Sequence, residues 1–500
     1  MQRILILGGG LGGLFTGALL SKHECLVTVL EKGHVIGGGL QTFKRNGFTF
    51  ETGMHILGGF QPGGSVGRIC DYLGILDKLD IVPMPADCMA EIVCIAEGTR
   101  YRIPQGREAF TEYLIRQFPA EADNIRRYTD DIYEIAAQID LFNLRQSTSL
   151  NIHEAYSIPV GSFLERYTHN PRLLNLLAFM STLYGGQYDM TPAHIHALIN
   201  VLYINGSSMF GRSSPQLADA LAEVIRQNGG EVLPDSEVIS IETEQRRVKQ
   251  VIVKGNRHYE ADVYISSLPP TLTIRLCSQA SFPKAFITRL NSIPHSYSAF
   301  KVFFELRGDE FEPLASPVYI VDRSERFWQM SYYDEQWPQG MALFMTHSEV
   351  NTAGNRMLMA VCPMSFDAVR QWSDSTSGHR PSAYYEWKQQ QIERVTSLIA
   401  RHFKGFESAV VSSFASSPLT FRDWLGTPEG SMYGYCKDAN DILRTLLPIH
   451  TKVSNLLMTG QNINLHGICG VPLTAIQTAE AVLGSGVILN AIHQHEHSET

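Results

Sequence analysis

Three glycines and one acid near the start of this chain have the spacing to hold a phosphate group and a sugar. Gly8, Gly10 and Gly13 form a G-x-G-x-x-G turn, and Glu31 follows eighteen residues after Gly13. The apolar run Ile4-Leu5-Ile6-Leu7 leads into the glycines, and Val27-Thr28-Val29-Leu30 leads into the acid after a helix-like stretch. Strand, glycine turn, helix, strand and acid in this order are what a pyrophosphate-binding βαβ unit needs. Gly8 permits the tight turn, Gly10 lets the backbone approach the phosphates, and Gly13 lets helix pack closely on strand. Leu11 and Gly12 open the helix, whose free amides and dipole favour an anion. A carboxylate at Glu31 accepts the hydroxyls of an adenosine ribose and repels a 2′-phosphate. That selects a dinucleotide but leaves NAD and FAD both open.

The scaffold must be larger than this unit. Five hundred residues exceed one core and predict two or three domains. A net charge of −9 leaves no basic stripe, which argues against nucleic-acid binding. The eight cysteines include no CxxC, which predicts neither a metal site nor a disulfide framework and suits a reducing compartment. The first strand begins almost at Met1, so no signal peptide is expected. No apolar window reaches the ~18 residues of a membrane span. The expected location is cytoplasmic, with peripheral membrane contact left open. The most apolar stretch, Leu173 to Tyr184, reads as a core helix in preference to a surface dipping into a bilayer.

Along the chain the pattern is discontinuous. Residues 1–85 open the nucleotide domain. Residues 86–210 start with a hairpin, Glu91–Ala96 and Thr99–Ile103 around Glu97-Gly98, and continue as helices over 107–146 and 160–203. Residues 211–285 carry a helix ending at Gly229-Gly230, then strands near Val238, Val248 and Val263. Residues 286–420 read as a mixed sheet with helices. Residues 421–495 contain the short strand Leu456–Met458, Gly460, Gln461, Gly467, Gly470, Val471, Pro472 and a helical run from Leu473 to Ala481. Pro472 suits a first helical turn. The tail from His493, residues 496–500 above all, is polar and expected to fray. Gly484-Ser485-Gly486 ends a helix and so cannot start a second dinucleotide site. Electrons must therefore pass through the substrate pocket, through oxygen, or through a separate donor or acceptor.

Beyond Glu31-Lys32 the chain runs Gly37-Gly38-Gly39-Leu40. Here it resembles the flavoprotein superfamily of amine oxidases, carotenoid desaturases and Rab GDP-dissociation inhibitors. The resemblance implies an α/β fold: a Rossmann-like FAD-binding domain with a parallel sheet, and a discontinuous α+β substrate domain. It implies that Gly38, Gly39 and Leu40 lie beside the ribityl and pyrophosphate, although Gly39 stands where many members have Arg. It also puts Val238 near the adenine and Ser266-Ser267 near the flavin. Gly460, Gln461, Gly470, Val471 and Pro472 would form the second half of the FAD site, with a helix start aimed at the negative charge of a reduced flavin. Glu51-Thr52-Gly53-Met54-His55, Pro428-Glu429-Gly430-Ser431-Met432-Tyr433-Gly434 and Thr459-Gly460-Gln461-Asn462-Ile463 resemble the retinol saturase, carotenoid isomerase and phytoene desaturase branch, with Asn462 in place of an acid.

That branch implies hydride exchange between FAD N5 and a carbon–carbon double bond of a long apolar substrate, as saturase, desaturase or isomerase. The other carbon needs a proton donor or acceptor. His55 is the candidate, with a structural histidine as the alternative. Tyr433 is a second candidate for contact with substrate or flavin, and Glu51 for holding the loop. Phe179, Met180, Tyr184, Phe210, Trp328, Met330 and Tyr332 would suit an apolar tunnel or plain core. Two other functions remain: a flavin amine oxidase, and a non-catalytic lipid-group carrier of the Rab GDP-dissociation inhibitor kind.

Overall fold

A computed structural model describes residues 1–53, 55–147, 153–277 and 281–499. Met54 of the Glu51–His55 motif lies outside the described residues. Five parallel strands form one sheet, in the order Glu231–Leu233, Cys25–Leu30, Gln2–Leu7, Val263–Ser266, Leu456–Met458. Its strands come from both ends and the middle of the chain. Ile4, Leu5, Ile6 and Leu7 are all buried, as a parallel strand covered on both faces requires. The helix Leu11–Ser21 packs on helix Gly467–Leu483. The Thr16 and Thr459 hydroxyls, 3.1 Å apart, tie the two termini together.

The second large sheet has seven strands, in the order Val410–Ser416, Ser298–Leu306, Arg356–Met364, Gly340–Val350, Val318–Val321, Ala90–Cys94, Thr99–Ile103. All its neighbours are antiparallel except Val318–Val321 with Ala90–Cys94. The early hairpin thus extends a sheet built mainly 200 residues later. Val238–Glu244, Arg247–Val253 and Arg257–Tyr259 form a separate three-stranded sheet.

Two helical expectations differ from the structure. Leu173 to Tyr184 is buried but is not one helix: Pro171–Leu176 is followed by a 3₁₀ segment, Phe179–Leu183. The chain then turns at Gly185, whose φ of +65° suits glycine. The tail does not fray at His493 but continues helix Val487–Glu499. Glu496 takes Arg68 in a two-point ion pair, and His495 packs edge-on against Tyr72. Among the described residues no single helix is long and apolar enough to cross a membrane.

Candidate active site

The starts of the two packed helices border one cavity of about 340 Å³ that runs from the glycine turn to the seven-stranded sheet. Gly10, Leu11, Gly12, Gly38, Gly39, Leu40, Gly53, His55, Tyr433, Gly460, Gln461 and Val471 all line it. Gly8 and Gly13 shape the turn from behind. Gly8 has φ +101°, and a Cβ on Gly13 would stand 2.0 Å from the Gly8 carbonyl oxygen. Glu31 is buried at the end of the second strand. Its two carboxylate oxygens accept from the Gly9 and Gly33 amides at 2.9 and 2.8 Å, leaving further lone pairs for a ribose.

Other assignments fall elsewhere. Lys32 is exposed, with Nζ beside Gly426 rather than in the cavity. Val238 pairs with Val253 in the three-stranded sheet and does not line the cavity. Ser266 is fully buried, its hydroxyl 2.7 Å from that of Thr273, and Ser267 faces the cavity in its place. Successive residues at a strand end point to opposite faces, so the pair cannot share the role. Gly470 packs against Leu465, where a Cβ would come within 2.3 Å. Pro472 is not in a first turn: its helix starts five residues earlier, at Gly467, and the proline sits inside it. The expected start failed because Gly467 and Gly470 are poor helix formers.

These residues fit a flavin nucleotide. A Cβ on Gly10 or Gly39 would meet nothing within 4 Å, so the backbone there faces open space. At Gly12 a Cβ would be 2.8 Å from Gly460 Cα, so that glycine closes the junction between the two halves. Neither helix start carries a side-chain cap, which leaves amide donors for an anion.

The floor of the cavity holds a group that the motifs do not contain. Lys301 lies in the strand Ser298–Leu306 and is only 2% exposed. Its Nζ donates to the Thr52 carbonyl at 2.6 Å and lies 2.9 Å from His55 Nε2. Burial pulls its pKa down to about 7, and the Glu51 carboxylate opposes that shift. Glu51 accepts from the Ser214 amide at 2.8 Å and from its hydroxyl, so it anchors the loop to helix Pro215–Gln227. The His55 ring lies 5.0 Å from that of Phe344. A charge set in Phe300-Lys301-Val302-Phe303-Phe304 was the available sequence signal, since an unpaired lysine in a buried strand is costly.

Tyr433 lines the cavity, but its hydroxyl donates to the Thr182 carbonyl and its amide donates to Ser296 Oγ at 2.9 Å. Burial raises its pKa. These bonds tie Tyr433 into the cavity wall, where it positions the turn. Asn462, in place of the acid, accepts from the Tyr435 amide at 3.1 Å. Of the seven tunnel residues only Met330 lines the cavity. Phe179, Met180 and Tyr184 are core, and Tyr332 is exposed. The apolar wall is instead Tyr203, Tyr319, Phe344, Val361 and Phe421.

A glycine turn with its acid, two uncapped helix starts and an adjoining apolar chamber make a dinucleotide site that opens on an apolar substrate space. The chain belongs to the flavin containing amine oxidoreductase family, whose model matches residues 11–483. It is a flavin-dependent oxidoreductase. It is 24% identical to human all-trans-retinol 13,14-reductase over 96% of this chain and 85% of that one. It is 24% identical to the chloroplastic prolycopene isomerase of Arabidopsis thaliana over 53% of this chain and 47% of that one. Among solved structures, an oxidoreductase from Methanosarcina mazei superimposes with a TM-score of 0.66 at 16% identity, covering 96% of this chain and 100% of the other. That last likeness shows the fold alone.

Proposed function

We propose that the protein binds FAD and moves hydrogen to or from a carbon–carbon double bond of a long apolar polyene. The observation that carries this is the chamber's lining. It is largely aliphatic and aromatic, and no carboxylate lines it among the described residues. Its cation, Lys301, would repel a substrate ammonium. Those features disfavour an amine substrate and suit an uncharged chain. The similarity to a retinol reductase over most of both chains supports the same substrate class.

Gly10, Leu11 and Gly12 would hold the pyrophosphate, Glu31 the adenosine ribose, and the Gly467 helix start the flavin ring. Bound FAD supplies the hydride-transferring N5. Lys301 and His55 supply or take the proton at the second carbon, through His55 Nε2 or Lys301 Nζ. The apolar wall keeps water from the reacting carbons.

The test starts with purification and a visible spectrum. The cofactor released on denaturation should run as FAD. The protein is then reduced anaerobically and mixed with all-trans-retinol or a carotene. A new product with an altered double-bond count or geometry supports the reading. A yellow protein that leaves every polyene unchanged, yet whose oxidised flavin is bleached by an amine and restored by oxygen, overturns it.

A further inference from the structure

Four cavity-lining residues form one row across the seven-stranded sheet. Tyr319 pairs with Ala342, Ala342 with Val361, and Val361 with Lys301, each in direct register, and all four line the cavity. Residues opposite one another on neighbouring strands point to the same face. Three strand spacings of ~4.8 Å set the Cα atoms of Lys301 and Tyr319 about 14 Å apart. Lys301, with His55, holds one end of the row, and Tyr319 holds the other. Tyr203, from helix Ala193–Asn205, also lines the cavity and lies within electrostatic reach of Tyr319. Both tyrosines are buried, yet neither hydroxyl has a hydrogen-bond partner among the described residues, and both oxygens keep accessible surface. A buried tyrosine hydroxyl usually finds a partner, as that of Tyr433 does in the Thr182 carbonyl. The two free phenols are thus polar points in a wall that is otherwise largely apolar.

We propose that Tyr203 and Tyr319 determine specificity by hydrogen-bonding an uncharged oxygen, a hydroxyl or a carbonyl, at the end of the apolar substrate. This deepens the polyene reading and rests on it. Burial raises the pKa of both phenols, so each keeps its proton. A phenol O–H donates to a carbonyl, and it can donate to or accept from a hydroxyl. Lys301 is the one lysine or arginine that lines the cavity among the described residues, and it stands at the far end of the row. A carboxylate beside the tyrosines would therefore be buried without a counter-charge. A hydrocarbon end would leave both phenols unpaired, and a site built around a hydrogen bond discriminates strongly against the ligand that lacks it. With its oxygen held there, the chain lies along Ala342 and Val361 toward the Lys301–His55 pair, so the tyrosines also set which carbons reach that pair.

The test uses oxidised holoenzyme and two probes, all-trans-retinol and the hydrocarbon with the same carbon skeleton, titrated by perturbation of the flavin spectrum. Wild type should bind the alcohol more tightly. Tyr203→Phe and Tyr319→Phe each remove one oxygen and break no hydrogen bond within the protein, so both should fold and load flavin. Each should weaken the alcohol by about tenfold and the hydrocarbon by far less. The double variant should bind the two probes alike. Wild type that binds both probes equally, an alcohol preference that survives in the double variant, or equal weakening of both probes would overturn the assignment and leave the polyene reading standing. A colourless variant would place the hydroxyls in the flavin site and overturn it too. Wild-type holoenzyme that binds neither probe would overturn the polyene reading and this inference together.

Discussion

Lys301 Nζ lies 2.9 Å from His55 Nε2, and the two residues are 246 positions apart in the chain. The strand Ser298–Leu306 brings the lysine, and the turn after Phe48–Glu51 brings the histidine. If Lys301 is an ammonium, His55 accepts at Nε2 and carries its proton on Nδ1. If Lys301 is neutral, the proton can sit on His55 Nε2 and point back. One proton shared between a buried lysine and a half-buried histidine beside a flavin cavity can be passed to a substrate carbon or taken from it.

Replacing Lys301 by Met should therefore lower kcat by roughly 10²- to 10⁴-fold, the usual contribution of a positioned acid or base. Flavin content should survive, because Lys301 touches Thr52 and His55 and not the phosphate turn. His55→Ala should likewise slow turnover more than it weakens flavin binding. Steady-state kinetics on yellow, fully loaded variants checks this. Parallel loss of flavin and activity would reduce the pair to a structural role.

The pH profile reports the direction of the reaction. The buried lysine titrates near pH 7 in the folded protein. Reducing a double bond requires the pair to hold its proton, so kcat/KM should fall as pH rises through about 7. Removing hydrogen requires the pair to be empty, so kcat/KM should rise over the same range. In either case Lys301→Met should erase the inflection. A profile flat from pH 6 to 8 in wild type would rule out Lys301 as the titrating group.

Two neighbouring glycines should fail in different ways. A side chain on Gly10 meets nothing within 4 Å, so Gly10→Val should fold and melt near wild type but emerge colourless. A Cβ on Gly13 would lie 2.0 Å from the Gly8 carbonyl oxygen, so Gly13→Ala should lose stability or fail to fold whether or not flavin is present. Absorbance at the flavin band together with a thermal melt separates the two outcomes.

The difference between these glycines and Lys301 shows what could be read from the chain. The first βαβ unit is local: apolar run, turn, helix and acid fall within thirty-one residues, and each has its own physical signature. The whole parallel sheet came from the family resemblance; only the pairing of its first two strands follows from the βαβ unit itself. The Lys301–His55 pair was not readable, because pairing of strands far apart in sequence sets it. The resemblance put Ser266-Ser267 near the flavin, but which of the two faces the cavity could not be read, because a strand's end phase is not fixed by composition. The start of helix Gly467–Leu483 was hidden by glycines that propensity reads as loop. The tail was misread because its order depends on Arg68 and Tyr72, more than 400 residues away.

Tyr433→Phe separates a wall residue from a proton donor. The hydroxyl donates to the Thr182 carbonyl, so its removal should leave that acceptor unpaired and cost about 1–3 kcal/mol of stability. Turnover should drop by less than about tenfold, well short of the loss expected when a general acid or base is removed. A melt and a kcat measurement on the same preparation decide it. A loss of 10²-fold or more with an unchanged melt would return Tyr433 to the chemistry.

Glu31→Gln tests the nucleotide end of the site. The carboxylate already receives the Gly9 and Gly33 amides. An amide side chain has only one oxygen, so it would turn an NH₂ group toward one of those donors and also lose the charge that favours the ribose hydroxyls. FAD affinity should weaken by about 1–3 kcal/mol, as for a lost charge-assisted hydrogen bond. Titration of the stripped protein with FAD, followed by flavin fluorescence, measures it. Glu31→Asp keeps the charge but shortens the reach, and its affinity should fall between the two. Unchanged affinity in Glu31→Gln would mean that the acid serves only the glycine turn, and the ribose would have to be held by another group.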